Sequence, residues 1–382
     1  MANTLTGLIT TIYEAMDVVA REMVGFIPAV YRNSSAERAA VDETIRYPIV
    51  PAVTLVEGSA SQAAGDNGDA ELSYGDMTLS EDYYAPVRIN GEEIKGLENG
   101  SLNAQVMKDR FAQGMRALVN AIEEDLAGQY IYASRAVKTM GLELFDSTDK
   151  LRSLAQLRRI LMDNGASGQE LQLVLGSSAG ALLRSTDFLL KVNEAGDDAQ
   201  LRRGMLGSLM GFDIHESAEI SAHTNGSFTV PVVTDLALAG TAVVGTDLDD
   251  LLDGDLIKIA NDDDNVYVVQ DATSATASVI NAPGSKVVHD GATDAVTPLI
   301  ATSYIPNMAF ARNAIHLCTR APAMPAGGDS ARNSLMITDP RTNLTFEVRE
   351  YAEHRQIKYE ICCVWGWKTV KPDFVAVLAE ES

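Results

Sequence analysis

The chain has 382 residues, 46% of them hydrophobic and 22% charged, with a formal net charge of −23 and an isoelectric point near 4.5. This composition excludes a globally disordered chain, and the length predicts two or three structural units. So acidic a chain repels phosphate backbones, which argues against nonspecific nucleic-acid binding.

The first thirty residues carry an amphipathic pattern and no targeting signal. Apolar residues at three- and four-residue steps predict a helix over residues 4–24, ended by Gly25 and Pro28. Charges such as Glu14 and Asp17 interrupt this stretch. We therefore expect neither a secretory signal nor a membrane span, and a cytosol-like compartment.

Residues 46–92 predict a long hairpin arm, which follows a polar connector at residues 32–43. Strand-like stretches, the first broken by Pro48 and Pro51, flank a tip rich in Gly, Ala, Ser and Asp at residues 59–73. An arm with so few large apolar residues is poorly stabilised alone, so we expect it to lie on a neighbouring molecule.

Residues 101–135 carry the strongest helical pattern of the chain. Ser101 is the predicted N-cap, and one face stays apolar from Val106 to Tyr130. A helix of this length would extend about 50 Å and act as a structural spine. A second helix at 150–165, a buried strand at 171–176, a short helix at 177–185 and an extended segment at 204–217 follow.

Residues 222–303 differ from the rest of the chain in composition. They contain twelve aspartates, no glutamate and only Lys258 and Lys286 as basic residues, a local balance of −10. Short strands alternate with NDDDN, DG and PG turns. For NDDDN we favour a solvated turn over a weakly bound cation. The segment is predicted to be a small inserted β-domain.

From residue 306 onward the pattern predicts long antiparallel strands at 307–322, 335–351 and 356–370, with a turn at Asp339-Pro340 and a last strand near the C-terminus. In the third strand, Cys362 and Cys363 fall on opposite faces. With Cys318 they make an odd number of cysteines without a CxxC pair, so we predict packed thiols rather than disulfides or a redox site.

One segment offers a competing enzymatic interpretation. Gly176, Ser178 and Gly180 match the G-x-S-x-G nucleophile elbow between a strand and a helix. The histidines that could serve such a serine are His215, His223, His289, His316 and His354. A hydrolase needs several βα units before the elbow, however, whereas helices and a hairpin precede it here. We favour a helix start with a capping serine.

The remaining motifs give no metal or cofactor site. The stretch DLDDLLDGD resembles a calcium loop only superficially, because Leu251 stands where an oxygen ligand is required and no glutamate closes the loop. The histidines form no close pair, and no P-loop or dinucleotide fingerprint occurs. The prediction is a non-enzymatic building block with no catalytic, cofactor-binding or metal residues and no cofactor.

Long collinear stretches of the sequence resemble the tailed-phage major capsid proteins of the P-twenty-two coat family, which have the Hong Kong ninety-seven type fold. These stretches are MANTLTGLITTIYEAMDVVAREMVGFIPAV, FAQGMRALVNAIEEDLAG, LQLVLGSSAGALLRS, ARNAIHLCTRAPAMP, ITDPRTNLTFEVREY and YEICCVWGWKTVKPDFVAVL. They cover most of the chain and are far more specific than a short motif.

The resemblance implies an α+β phage major capsid fold with six parts. These are an N-terminal arm (1–45), an E-loop hairpin (46–92), the spine helix of a peripheral domain (93–150), the first part of an axial domain (151–221), an inserted β-domain (222–303), and the remaining axial and peripheral strands (304–382).

The implied function is that of a structural protein which self-assembles as hexamers and pentamers into an icosahedral phage head around double-stranded DNA. The resemblance implies a scaffolding protein, a procapsid that expands, a portal and, as a further candidate, decoration proteins. DNA would be enclosed without sequence-specific binding, and no membrane is involved. The location would be the virion, assembled in the bacterial host cytoplasm. Two alternatives stay open: a serine hydrolase using the elbow, and an encapsulin-type cargo shell.

Overall fold

The structure is a computed structural model, which describes residues 11–16, 24–49, 73–93, 103–138, 144–145, 151–186, 207–228, 231–262, 264–338 and 342–381. The described chain is a strand-rich α+β protein with two large sheets and a separate two-stranded one. The predicted fold class is therefore confirmed. The tip of the arm and Ser101 lie outside the described residues.

The α-helices are α1 (Phe26–Ala29), α2 (Asn103–Ala127), α3 (Arg152–Asp163) and α4 (Ser177–Arg184), and residues 11–16 are also helical. The strands are β1 (Tyr31–Ala39), β2 (Thr44–Ile49), β3 (Ser73–Thr78), β4 (Glu81–Asn90), β5 (Arg135–Lys138), β6 (Leu171–Gly176), β7 (Ser208–Leu209), β8 (Phe212–Ser217), β9 (His223–Thr224), β10 (Val232–Leu236), β11 (Ala242–Thr246), β12 (Leu256–Ile259), β13 (Tyr267–Ser274), β14 (Ala277–Ile280), β15 (His289–Pro298), β16 (Ser303–Ala311), β17 (Ile315–Pro322), β18 (Asn333–Thr338), β19 (Thr345–Glu353), β20 (Gln356–Thr369) and β21 (Val375–Glu381).

A six-stranded sheet in the order β1-β17-β20-β19-β18 is centred on β20, which also pairs with β4 along its other edge. The α2 helix packs on this sheet, with the Phe111 ring edge-on to Tyr359 at 5.5 Å between centroids. Because β4 pairs with β20, it belongs to the body. The predicted arm at 46–92 therefore consists only of β2 and β3 among the described residues.

The second sheet joins a body layer to a closed barrel. In the body, β5, β21, β16, β6, β8 and β7 are consecutive neighbours, and α3 and α4 share a core with β6, β16 and β21. The chain segments predicted as helix 150–165, strand 171–176 and helix 177–185 are confirmed as α3, β6 and α4. Each of these three elements has a complete pattern of apolar residues within its own sequence, which explains why it can be predicted from the sequence alone.

The strands β12, β15, β10, β11, β14 and β13 pair antiparallel in that order, and β12 pairs with β13 to close a six-stranded barrel. Its interior holds a separate core that includes Val233, Val243 and Ile280. The ends of the segment 222–303 are adjacent, since Thr224 and Ser303 are register partners. Tyr267 of β13 pairs with Arg135 of β5, so the barrel continues the body sheet.

Three predictions on the N-terminal half need correction. The segment 32–43, predicted as a connector, contains β1, which pairs in parallel with β17. Pro28 lies within α1 rather than ending a helix, because a proline is tolerated in the first helical turn. The α2 helix ends at Ala127 instead of continuing to residue 135.

The shortened helix follows from tertiary hydrogen bonds. After Ala127 the chain tightens into a 3₁₀ turn at Gly128–Tyr132, and Asn281 Nδ2 of the barrel donates to the carbonyls of Ile131 and Ala133 at 2.7 and 2.9 Å. These bonds replace further helical ones and turn the chain into β5. With 25 residues, α2 is about 38 Å long.

The stretch 307–322, predicted as one strand, is two. A 3₁₀ turn at Arg312–Ala314 separates β16, in the body sheet, from β17, in the six-stranded sheet. Strands β18, β19 and β20 form an antiparallel meander as predicted, whereas β17 pairs antiparallel with β20 instead of with β18. The chain thus crosses between the two layers within three residues that carry no strong turn signal.

The cysteines are packed, as predicted. Cys318, Cys362 and Cys363 are free and buried. Cys363 belongs to the main core beside Trp365, whereas Val364, the next residue, packs with Cys318 on the opposite face of β20. Burial raises the pKa of Cys318 to about 11 and that of Cys362 to about 12, and it also raises the pKa of Cys363.

These thiols should not react in the folded protein. At pH 8 a thiol with such a pKa is ionised to on the order of one part in a thousand or less, and access is blocked by packing. We expect an aromatic disulfide reagent to label the native chain negligibly and to label all three cysteines in guanidinium chloride. Rapid stoichiometric labelling without denaturant would contradict this assignment.

Candidate assembly elements

The Glu123 carboxylate of α2 is buried in the body, with 1% of the residue exposed. Its oxygens accept hydrogen bonds from the backbone amides of Gly25, Phe26 and Ile27 at 3.1, 3.0 and 2.8 Å. The Ser217 hydroxyl at the end of β8 donates a fourth, at 2.9 Å. One side chain therefore fixes the N-terminal segment, the spine helix and the body sheet to one another.

Burial raises the pKa of the Glu123 carboxyl above its ordinary value, although the four donors lower it. The approach of the backbone also explains Gly25, because a Cβ there would lie 2.7 Å from the Glu216 carbonyl oxygen. Beyond this junction, Ile12 and Met16 of the helical residues 11–16 are buried in the main core. The predicted apolar stripe therefore finds its partner in the body for these residues.

The hairpin of β2 and β3 is anchored at its base. Met77 and Leu79 are buried against Cys318 and Val364. Ser80 N donates to the carbonyl oxygen of Trp365 at 3.1 Å, and Lys368 Nζ donates to that of Asp76 at 2.7 Å. The backbones approach so closely that a Cβ on Gly366 would lie 2.2 Å from the Thr78 carbonyl oxygen.

Beyond this base, β2 and β3 form a sheet of their own and pair with no other strand of the described chain. Ile49 is 40% exposed and Tyr74 is 60% exposed. A lone two-stranded hairpin is marginally stable in water. The Ile49 and Tyr74 side chains thus remain open to a further surface.

An ion-pair network explains why so polar a segment forms β1. Arg38 donates to both oxygens of Glu347, at 2.8 and 2.5 Å, and Arg349 donates to one of them at 2.8 Å. Burial opposes ionisation of Glu347, yet hydrogen bonds from Arg38 and Arg349 hold its pKa below the ordinary value. Asp329 lies 3.3 Å from Arg349 and extends the network.

The G-x-S-x-G segment has the predicted strand-to-helix geometry but not the contacts of a nucleophile. Ser178 Oγ donates to Glu380 at 2.6 Å, and Gly180 lies against the Glu216 side chain. The nearest-numbered histidine, His215, has its Nε2 3.0 Å from Gln172 Oε1. Ser178 therefore has a carboxylate and no histidine among its described partners, and the segment is a helix start.

Several aspartates of the segment 222–303 are structural rather than solvated, which corrects the interpretation of NDDDN. Asp262 is 3% exposed and accepts hydrogen bonds from Tyr267 Oη at 2.5 Å and Asn265 Nδ2 at 2.7 Å. Asp255 is buried, with His223 Nε2 2.8 Å away. Short polar turns give no sequence signal that distinguishes such buried acceptors from exposed ones.

No group of three or more potential ligands among the described residues could hold a metal ion. Within the same residues, no helix is both long and apolar enough to cross a membrane. The absence of catalytic, cofactor and metal residues from the chain stays a prediction.

No protein-family model and no curated protein matches the chain. Solved structures do. The capsid of cyanophage P-SCSP1u has a TM-score of 0.49 and 9% identity, over 94% of this chain and 88% of that one. The mature capsid of bacteriophage PhiM1 has a TM-score of 0.46 and 14% identity, over 93% and 86%. A virus-like particle from Pyrococcus furiosus has a TM-score of 0.42 and 10% identity, over 98% of each chain.

Each of these three similarities extends over more than nine tenths of the chain.

The Glu123 junction predicts a large effect of a small change. The substitution Glu123→Gln presents an amide to three backbone N–H groups and should lower the free energy of unfolding by about 2–3 kcal/mol. Chemical denaturation of the unassembled chain would measure it. Glu124→Gln is the matched control, because Glu124 is exposed and its replacement should cost less than about 0.5 kcal/mol. Equal stabilities of the two variants would contradict the role given to Glu123.

The hairpin base predicts a steric effect. The substitution Gly366→Ala forces the Thr78 backbone away from β20 and should lower the free energy of unfolding by about 1–3 kcal/mol. Gly128→Ala is the control, since a Cβ at Gly128 meets no atom within 4 Å. That variant should be neutral or slightly more stable. If Gly366→Ala unfolds like the control, the close approach at the hairpin base is not a constraint.

Proposed function

We propose that the chain is the major capsid protein of a tailed phage, a structural subunit whose copies form hexamers and pentamers in an icosahedral head around double-stranded DNA. The observation that carries the proposal is the hairpin of β2 and β3, held firmly at its base and unpaired by other described strands above it. A fixed base with an open ribbon fits a protein whose stability is completed by a neighbouring subunit.

Aromatic side chains beside the hairpin support association of copies. Tyr83 and Tyr84 of β4 are 54% and 57% exposed. The strand lies at an edge of the six-stranded sheet, since its only described pairing is with β20. Exposed tyrosines on an open strand edge are typical of surfaces that other chains cover. We infer that neighbouring subunits cover this edge in the shell.

The formal charge of −23 fits a container for nucleic acid. An acidic wall repels phosphates, so packaged DNA would not adhere to it over its whole surface. Enclosure without sequence-specific binding is therefore part of the proposal.

Assembly on a scaffolding protein into an expanding procapsid, a portal, decoration proteins and assembly in the bacterial host cytoplasm are proposed from the sequence resemblance. The same holds for the six-part domain division. The closed barrel within residues 222–303, with its own core and adjacent ends, supports the proposal that this segment is an inserted domain.

The test is to express the chain with its neighbouring phage genes and to separate the products by sedimentation. We expect closed particles of uniform size under the electron microscope, built from pentamers and hexamers. Particles loaded with a host protein and lacking DNA would favour the encapsulin-type alternative. A chain that stays monomeric under all assembly conditions would refute both shell functions.

A further inference from the structure

A cleft of about 440 Å³ opens between β5, α3 and the barrel, and cationic side chains dominate its charged lining. The charged residues that line it are Arg135, Lys138, Arg152, Arg159, Lys258 and Asp264. Five basic groups thus face one carboxylate. This ratio reverses that of the chain, which has 30 basic and 53 acidic residues.

Four of the five cations come from β5 and α3, and the barrel side contributes Lys258 and Asp264. Lys258 of β12 is one of only two basic residues in the segment 222–303, which has twelve aspartates. At physiological ionic strength charges are screened over about 8 Å, so groups lining the cleft outweigh distant acids. The local potential of the cleft is therefore positive although the chain is acidic.

Most of these cations keep hydrogen-bonding capacity for a ligand. Lys138 lies 3.4 Å from Glu381, and Arg159 lies 3.7 Å from Asp163. Both ion pairs are partly exposed, so each contributes little to the stability of the fold. Arg152 and Lys258 form no ion pair with any residue that the structure describes. The positive charges of the cleft are therefore only partly neutralised by neighbouring carboxylates.

Arg135 is 3% exposed and forms the fixed back of the cleft. Its guanidinium nitrogens donate to Asn265 and Asn164, both at 2.9 Å. The two neutral amides position this cation without cancelling its charge. A buried, preorganised guanidinium loses little entropy when an anion arrives.

The α3 helix presents Arg152, Gln156 and Arg159 to the cleft at spacings of four and three residues, so they share one helical face. Guanidinium forks bind the paired oxygens of phosphate well, and an amide can donate to a third oxygen. A phosphate group also carries more charge than one carboxylate, which suits several converging cations.

We propose that this cleft is a phosphate-binding site, occupied by a free phosphate compound or by phosphate groups of a nucleic-acid backbone. Arg152, Arg159 and Lys258 would contact the phosphate oxygens, and Arg135 would supply charge from behind. The site is independent of the shell function, because it needs only the single folded chain.

The experiment compares the full-length unassembled chain with the variant Arg152→Gln/Arg159→Gln/Lys258→Gln. The matched control is Arg332→Gln/Arg355→Gln/Lys286→Gln, which makes the same charge change at exposed residues outside the cleft. Probes are inorganic phosphate, a twelve-nucleotide oligothymidylate and a poly-glutamate peptide. Calorimetric titration measures affinity, and denaturation confirms that each variant is folded.

We expect phosphate or the oligonucleotide to bind the wild type and the control alike, and to bind the cleft variant at least about tenfold more weakly. Tight binding of free phosphate without the oligonucleotide identifies a small-molecule ligand. Binding of the oligonucleotide, with a salt slope that falls by about 2 in the cleft variant, identifies a nucleic-acid backbone. Binding of the peptide alone, equal binding by all three proteins, or no binding would overturn the proposal.

Discussion

The rest of the architecture depends on the burial of one carboxylate. A buried Glu123 is tolerated only if donors surround it, and those donors come from the N-terminal segment and from the end of β8. Satisfying it sets the position of α2 along the body. The placement of α2 in turn brings Phe111 onto Tyr359 of β20. A local electrostatic requirement thus fixes the register between the spine helix and the sheet that carries the hairpin.

The β20 strand connects this part of the core to the hairpin at the surface. It pairs with β4, β17 and β19, and its two faces enter two different cores. A strand so constrained cannot move without breaking both cores, which makes its neighbour, the hairpin base, a firm attachment point. In the proposed shell, this firm attachment would hold the hairpin against neighbouring copies of the chain.

The sequence predicts the elements that have a clear periodic pattern of apolar residues. It misses the elements that are stabilised by contacts with residues distant in the chain. Helix α3, strand β6 and the packed cysteines of β20 follow from local patterns. Strand β1 is missed because its polar side chains are satisfied by Glu347 and other distant residues rather than by an apolar face. Glu123 leaves a trace: it lies four residues after Val119 and three before Leu126, on the buried face of α2. A charge within an apolar stripe signals a buried partner but cannot name it.

The net charge of the chain is a poor guide to its local electrostatics, because its acidic residues have different structural roles. Asp255 and Asp262 are buried hydrogen-bond partners that stabilise the barrel and its junction with the body. Glu347 is neutralised by two arginines. The exposed field is therefore weaker and less uniform than −23 suggests. Because the acidic residues differ in burial and in partners, one chain can combine a repulsive surface with a cationic cleft. The two properties act on different length scales, since repulsion of a large polyanion sums over the surface whereas capture of one phosphate depends on groups within a few ångströms.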